Sequence, residues 1–300
     1  MQFYIVDAFT ENIFGGNPAG IVMLEKNAEF PADGVMIKTA AELRYSETAF
    51  IKPVSDDELQ LRYFTPAAEV DFCGHATIAA FTVLLKFGFA KANSSYVIDT
   101  LSGKLTIDVT DDFIMMEMPA PQVLKRLEKP AEADELYNVM GISRAAVTVT
   151  DDNGNSAELQ PVLISTGFPD IFLPVKNRGA LAAIAPDFKA LSSLTERHGA
   201  GGVHAFTLET PAGGITACTR NFAPLYGIDE EAATGTASGG LTYYLYIHGL
   251  MAGGSDCCFL QGEAMGRPSK VFTSLCASNG SVEIKAGGKG VILAGGEIYL

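Results

Sequence analysis

The sequence predicts an α+β chain of two pseudo-symmetric domains, each a curved, mostly antiparallel sheet or barrel wrapped around one central helix. Three observations predict it. Short strand-like runs dominate both halves, one helix in each half is apolar almost all round, and both halves carry the same series of landmark residues, aligned by one insertion of three residues. The chain has 300 residues, enough for two domains at the usual ~150 residues each. Apolar residues make up 48% and charged residues 19%, which supplies a core and excludes a disordered chain.

The first strand is read in Phe3-Tyr4-Ile5-Val6-Asp7-Ala8-Phe9 and the second in Ala19–Leu24, after the turn Gly15-Gly16-Asn17-Pro18. Residues 34–44 read as a helix ending at Arg44. Thr48–Ile51 and Leu59–Phe64 read as strands, and Thr65–Phe72 as a loop. Gly74 to Phe87 reads as a helix stopped by Gly88, apolar on nearly every side until Lys86. A helix without a polar face is buried on most sides, so the short strands around it must wrap it. Pro119-Ala120-Pro121 and the charged stretch to Glu135 read as a linker, which places the domains at 1–120 and 121–300. The second half offers strands at 143–150, 157–165, 170–175, 203–208 and 215–220, helices at 178–183 and 187–194, and a long apolar helix near 235–248. Short strands separated by glycines close the chain, and the sequence leaves open whether residues 296–300 cross back to the first domain.

The halves read as an internal duplication. Arg62-x-Phe64-x-Pro66 is followed after eight residues by Gly74 and after fourteen more by Gly88. Arg220-x-Phe222-x-Pro224 is followed after eleven residues by Gly235 and after fourteen more by Gly249. Each glycine opens a buried helix, whose first turn has unpaired N–H groups and a partial positive charge. Two such ends facing each other across an interdomain cleft would hold a small anion, most simply a carboxylate. The plainer alternative is that both glycines only start helices packed on a sheet.

Several functions are excluded. A net charge of −14 repels phosphate backbones, so no nucleic-acid partner is expected. The longest apolar stretch is about ten residues, too short to span a bilayer, and the N-terminus shows no secretory signal, so a cytoplasmic protein without a membrane partner is expected. Five irregularly spaced cysteines with no C-x-x-C argue against a disulfide framework and a structural zinc site. No phosphate loop, H-E-x-x-H or G-x-S-x-G is present, and the N-terminal glycine turn carries Pro18 where a dinucleotide-binding helix would begin.

The residues that could do chemistry each read two ways. Glu47 enters an apolar strand and is either a partly desolvated proton carrier or a solvated strand-start carboxylate. His75, at a helix start, is either a proton carrier or bonded to backbone. Cys73 is either a thiol activated by the helix end or an inert buried one. Glu230 and Glu231 either point into the cleft or belong to a solvated acidic loop. His198, His204 and His248 are scattered, show no metal spacing and read as structural or surface residues; no metal site is expected.

The chain resembles the PhzF-like isomerases, within the diaminopimelate epimerase-like fold. The resemblance is carried by Val6-Asp7-Ala8-Phe9-Thr10, Gly16-Asn17-Pro18-Ala19, Ser46-Glu47-Thr48-Ala49-Phe50, Arg62-Tyr63-Phe64-Thr65-Pro66 and Phe72-Cys73-Gly74-His75-Ala76-Thr77. It continues in Ser165-Thr166-Gly167-Phe168-Pro169, Arg220-Asn221-Phe222-Ala223-Pro224, Ala233-Thr234-Gly235-Thr236-Ala237 and Gln261–Ser269. It implies two similar domains with an active site between them, a homodimer and no cofactor. The family's proton-transferring glutamate falls on Glu47 and its glycine-histidine pair on Gly74 and His75. Where the family has an aspartate before Pro-Ala-Thr-Gly, this chain reads Glu231-Ala232-Ala233-Thr234-Gly235, so the phenazine-pathway substrate is not carried over.

The leading expectation is therefore a cofactor-independent isomerase acting on a small carboxylate-bearing metabolite. Glu47 would move the proton, with His75 and Glu231 orienting the substrate or relaying protons. Ser46, Cys73, Gly74, Gly235 and Thr236 are the expected substrate contacts, the helix-start amides holding the carboxylate or the developing charge. Racemases of the wider fold use two cysteines, and here Thr234 stands opposite Cys73, which disfavours a two-thiol racemase. An epimerase, lyase or hydrolase step on an amino or hydroxy acid, and a binding protein without turnover, are the alternatives.

Overall fold

In the computed structural model, residues 1–26, 28–55, 58–145, 147–150, 156–278 and 280–300 are described. The first run of elements is β1 (Gln2–Ala8), β2 (Asn17–Met23), α1 (Asp33–Leu43), β3 (Thr48–Pro53), β4 (Glu58–Phe64), β5 (Glu69–Val70), α2 (Gly74–Lys86), β6 (Ser94–Thr100), β7 (Gly103–Thr110) and β8 (Phe113–Glu117). There follow β9 (Gln122–Arg126), α3 (Pro130–Val139), β10 (Thr148–Thr150), β11 (Ser156–Glu158), β12 (Val162–Ser165), β13 (Pro169–Pro174), α4 (Arg178–Ala182), α5 (Phe188–His198) and β14 (Gly202–Thr207). The chain ends with β15 (Ala217–Ala223), β16 (Ile228–Glu231), α6 (Gly235–Ile247), β17 (Asp256–Gln261), β18 (Ser269–Ser278), β19 (Ser281–Gly288) and β20 (Gly290–Glu297). Two units result: Met1–Glu117 with Gly287–Leu300, and Met118–Ala286.

In the first unit β20 and β2 flank β1, both antiparallel, and β3 follows β2 in parallel. The sheet continues through β4, β6, β7 and β8. Helix α2 packs against β1, β2 and β3 and also against β8 and β20, which lie at opposite ends of that strand order, so the sheet curls around it. Period-two alternation sorts the side chains. Tyr63 of β4 points inward, its hydroxyl 2.7 Å from Thr77 Oγ1 of α2. Val22, Phe50 and Phe64 point outward and are covered by Met36 and Ala40 of α1. Both faces are therefore buried, which accounts for the unbroken apolar run of β2.

The second unit follows the same plan with more helix. Its strands pair in the order β9, β12, β13, β14, β15, β17 and β18, with β16 also on β15. One face carries Phe172, Phe206 and Phe259 against Leu241, Tyr244 and Leu245 of α6. The other carries Ile171, Val203, Ala205 and Phe222 against residues of α3, α4 and α5.

Corresponding parts of the two units match closely. Helices α2 and α6 are each 13 residues long, with extended residues at their N-caps, Cys73 (φ −143°, ψ 113°) and Thr234 (φ −135°, ψ 101°). Neither residue caps its helix through its side chain. Arg62 grips Glu69 with two donors and lies over Phe64 at 5.1 Å; Arg220 grips Glu230 with two donors and lies over Phe222 at 4.9 Å.

The sequence reading needs correction in places. The stretch read as a linker is folded: it forms β9 and α3, whose Leu127, Leu136 and Tyr137 join the core. Pro130 at the first turn of α3 starts that helix rather than breaking structure. The strand expected over 143–150 is confined to Thr148–Thr150, with residue 146 outside the described residues. The loop before α2 contains the short strand β5. The closing strand, whose path the sequence left open, pairs antiparallel with β1.

Candidate active site

Three pieces of the first unit bring the predicted residues together. Helix α1 ends at Arg44 in the left-handed conformation (φ 61°), and the chain turns through Ser46 and Glu47 into β3. Gly20 N–H donates to Glu47 O at 3.2 Å, tying that turn to β2. A Cβ at Gly20 would lie 2.8 Å from Thr48 Oγ1 and 2.9 Å from Leu43 Cδ1, so only glycine lets β2 come this near. Cys73, Gly74 and His75 open α2.

His75 is the hub. Its Nε2 lies 3.2 Å from Glu47 Oε2 and 3.4 Å from Ser46 Oγ, and its Nδ1 lies 3.4 Å from Cys73 Sγ. The His75 and Glu47 side chains are 5% and 14% exposed, so the pair is nearly shielded from water. Glu47 Oε2 is buried and accepts no hydrogen bond among the described residues. Its approach to His75 is thus a close contact without hydrogen-bond alignment. A buried carboxylate oxygen left in this condition is costly, and such costs persist at functional sites. A Cβ at Gly74 would meet only Met116 Cε, at 3.4 Å, so packing does not demand glycine there. Its absent side chain leaves the helix start open to a ligand. The donor atoms of Glu47, Cys73 and His75 all lie within 4.8 Å of one another.

The remaining predicted residues lie in the second unit. Glu231 ends β16, and its Oε2 accepts from Thr234 Oγ1 at 2.9 Å. Gln261 Nε2 donates to Glu231 O at 2.7 Å, and Gln261 Oε1 accepts from Thr234 N–H at 3.2 Å. Ser269 Oγ donates to Ala232 O at 2.5 Å, so the segment leading to Gly235 is held from both sides. Thr166 Oγ1 donates to Thr236 O at 2.7 Å.

Sequence reasoning missed Asp170. It is fully buried at the start of β13, and neither carboxylate oxygen has a hydrogen-bond partner among the described residues. Burial, with a smaller contribution from the Glu231 charge, pushes its pKa up to about 8. The available signal was a carboxylate inside the apolar run Asp170-Ile171-Phe172-Leu173. His204 is completely buried, 2.9 Å through Nδ1 from Asn221 Oδ1, and burial pushes its pKa down to about 4. His198, beside Lys125, and His248, stacked on Tyr244, are held below the ordinary value first by burial.

A curved sheet around a buried helix that opens with Cys-Gly-His beside a glutamate defines the fold class: the α+β architecture shared by PhzF-family and proline racemase-like structures. The chain belongs to the phenazine biosynthesis-like family (PhzC-PhzF), whose family model matches residues 6–296. It is 32% identical to the uncharacterized isomerase YddE of Escherichia coli K12, over 97% of this chain and 96% of that one. It is 31% identical to the uncharacterized isomerase YfhB of Bacillus subtilis, over 95% and 94%. The crystal structure of the Bacillus anthracis PhzF-family phenazine biosynthesis protein superposes with a TM-score of 0.86 at 27% identity, covering 100% of this chain and 99% of that one. A probable proline racemase from Agrobacterium radiobacter shares the fold at 13% identity and a TM-score of 0.63, over 100% and 93%. Among the described residues no helix is long and apolar enough to cross a membrane.

Proposed function

We propose that this isomerase moves a proton within a small carboxylate-bearing metabolite, without a cofactor, using Glu47 as its single acid–base group. One observation carries the reading: a buried, unbonded Glu47 oxygen 3.2 Å from His75 Nε2, at the start of α2. The Glu47 carboxylate takes a proton from a carbon next to an activating group, and the electron pair shifts along the conjugated system. The protonated carboxyl then delivers that proton, or one it has exchanged with solvent, at another carbon, so the double bond migrates and no atom is gained or lost. His75, held by Cys73 and Ser46, stands 3.2 Å from the carboxylate, where it can orient substrate or relay a proton. First-turn N–H groups of α2 are suited to the substrate carboxylate or the developing charge. Roles for Glu231, Gly235 and Thr236 toward the same substrate rest on the family motif, as does a homodimer, which sedimentation would test.

The contact between Cys73 Sγ and His75 Nδ1 favours a second reading, a one-thiol epimerisation. The test is deuterium incorporation in D₂O from a panel of small amino, hydroxy and enol acids, read by NMR beside Glu47→Gln. Exchange with double-bond migration, lost in the variant, supports the first reading. Inversion that survives in Glu47→Gln and disappears in Cys73→Ser supports the second. Tight binding with neither exchange nor double-bond migration would make the protein a non-catalytic binder.

A further inference from the structure

We propose that Glu47, Cys73 and His75 form a three-ligand site for a borderline-soft divalent cation, Zn²⁺ foremost, whose occupancy switches off proton transfer. The inhibitory half rests on the reading of Glu47 given above; the binding half does not.

Each residue offers one donor of a different kind: carboxylate oxygen, thiolate sulfur and imidazole nitrogen. Tetrahedral zinc, with bonds of ~2.0–2.3 Å, sets its ligand atoms roughly 3.3–3.6 Å apart. Here His75 Nε2 stands 3.2 Å from Glu47 Oε2 and 3.9 Å from Cys73 Sγ, and no pair of donors exceeds 4.8 Å. Small side-chain rotations therefore close the set. Ser46 Oγ, 3.4 Å from the same nitrogen, marks the direction of a fourth position for itself or a water. The buried Glu47 Oε2 with no hydrogen bond is an independent observation, because a cation would satisfy it.

The donor set chooses the ion. Magnesium and calcium take oxygen ligands and gain nothing from a thiolate, whereas zinc binds all three donor types. The thiolate and carboxylate together neutralise the dication, the thiol proton passing to solvent as the metal–sulfur bond forms. The positive helix start that opposes a bare cation also favours the thiolate. Only Cys73-x-His75 is local in sequence, and Glu47 comes from a separate turn, so no metal spacing was legible. The bound ion would occupy the oxygen that must accept the substrate proton.

The test uses the full chain stripped with a chelator and titrated with Co²⁺, then Zn²⁺, by absorption and calorimetry. We expect one site, a thiolate-to-cobalt charge-transfer band and displacement of cobalt by zinc. Cys73→Ser should remove the band. Loss of outer-shell partners alone costs about 10–100-fold in affinity, so Cys73→Ser, His75→Ala and Glu47→Gln should each weaken zinc at least about tenfold. Cys276→Ser, at the exposed cysteine, should change nothing; thermal melts establish that each variant is folded. A band that persists in Cys73→Ser or vanishes in Cys276→Ser overturns the site, as does a folded wild type that binds neither ion. Zinc bound as expected with proton exchange unimpaired overturns the inhibition. Exchange persisting in metal-free Glu47→Gln overturns the proton-carrier reading and leaves the binding result standing.

Discussion

Glu47 Oε2 and His75 Nε2 stand 3.2 Å apart, one at the entrance to β3 and the other in the first turn of α2. Glu47→Gln keeps the shape and removes the acid–base function. General acid–base catalysis typically contributes about 10²–10⁴ in rate, so turnover should fall by that order while the thermal midpoint holds. Exchange kinetics and circular dichroism on the same sample check both halves. A variant that keeps near-normal turnover removes Glu47 from the mechanism.

Gly20→Ala should damage the site without touching it. The added methyl would sit 2.8 Å from Thr48 Oγ1 and 2.9 Å from Leu43 Cδ1, forcing β2 from β3 beside Glu47. Overpacking of this kind typically costs about 1–3 kcal/mol, and the displaced turn should lower kcat as well. A denaturant midpoint and exchange rate both equal to wild type would show that the strands absorb the methyl.

Arg220 should matter more than its appearance as one ion pair suggests. It holds Glu230 with two donors, both side chains being at most 15% exposed, and donates to Leu181 O and Ile184 O of the α4 region. Arg220→Met strands a buried carboxylate and the Ile184 carbonyl, so a loss of about 3–5 kcal/mol in urea unfolding is expected. Lys104→Met, which removes a solvent-exposed pair with Glu58, should leave the midpoint where it is.

The first-unit cluster was legible because its parts sit in short motifs: Ser46-Glu47 before an apolar strand, and Cys73-Gly74-His75 opening a helix with no polar face. Fold class was legible for the same reason, since two all-apolar helices among short strands leave few ways to bury them. Asp170 was hidden because burial comes from register: it pairs with Ile164 across the β12–β13 hairpin and with Gly202 of β14, which is far from it in sequence. The presumed linker misled because Pro and charge mark a loop and a helix start alike. Leu127, Leu136 and Tyr137 sit among those charges and carry the packing.

Asp170 and His204 should together give stability an asymmetric pH profile. The Asp170 carboxyl, ordinarily titrating at 3.8, holds its proton in the fold up to about 8. As pH rises above 3.8 the unfolded chain ionises and the folded one does not, so stability falls by about 1.4 kcal/mol per pH unit until the folded group ionises. His204 works in the opposite direction. Its folded value of about 4 lies below the ordinary 6.5, so stability is whole above 6.5 and is lost as pH falls toward 4. Between 4 and 6.5 the two slopes cancel; from 6.5 to 8 only the Asp170 slope remains, a loss of roughly 2 kcal/mol. Asp170→Asn should abolish that alkaline loss and expose the acid-side slope of His204. His204→Gln should do the reverse, with stability falling from pH 4 through to 8. Urea midpoints at acid, near-neutral and mildly alkaline pH decide it: an alkaline slope that survives in Asp170→Asn would mean another group carries the charge.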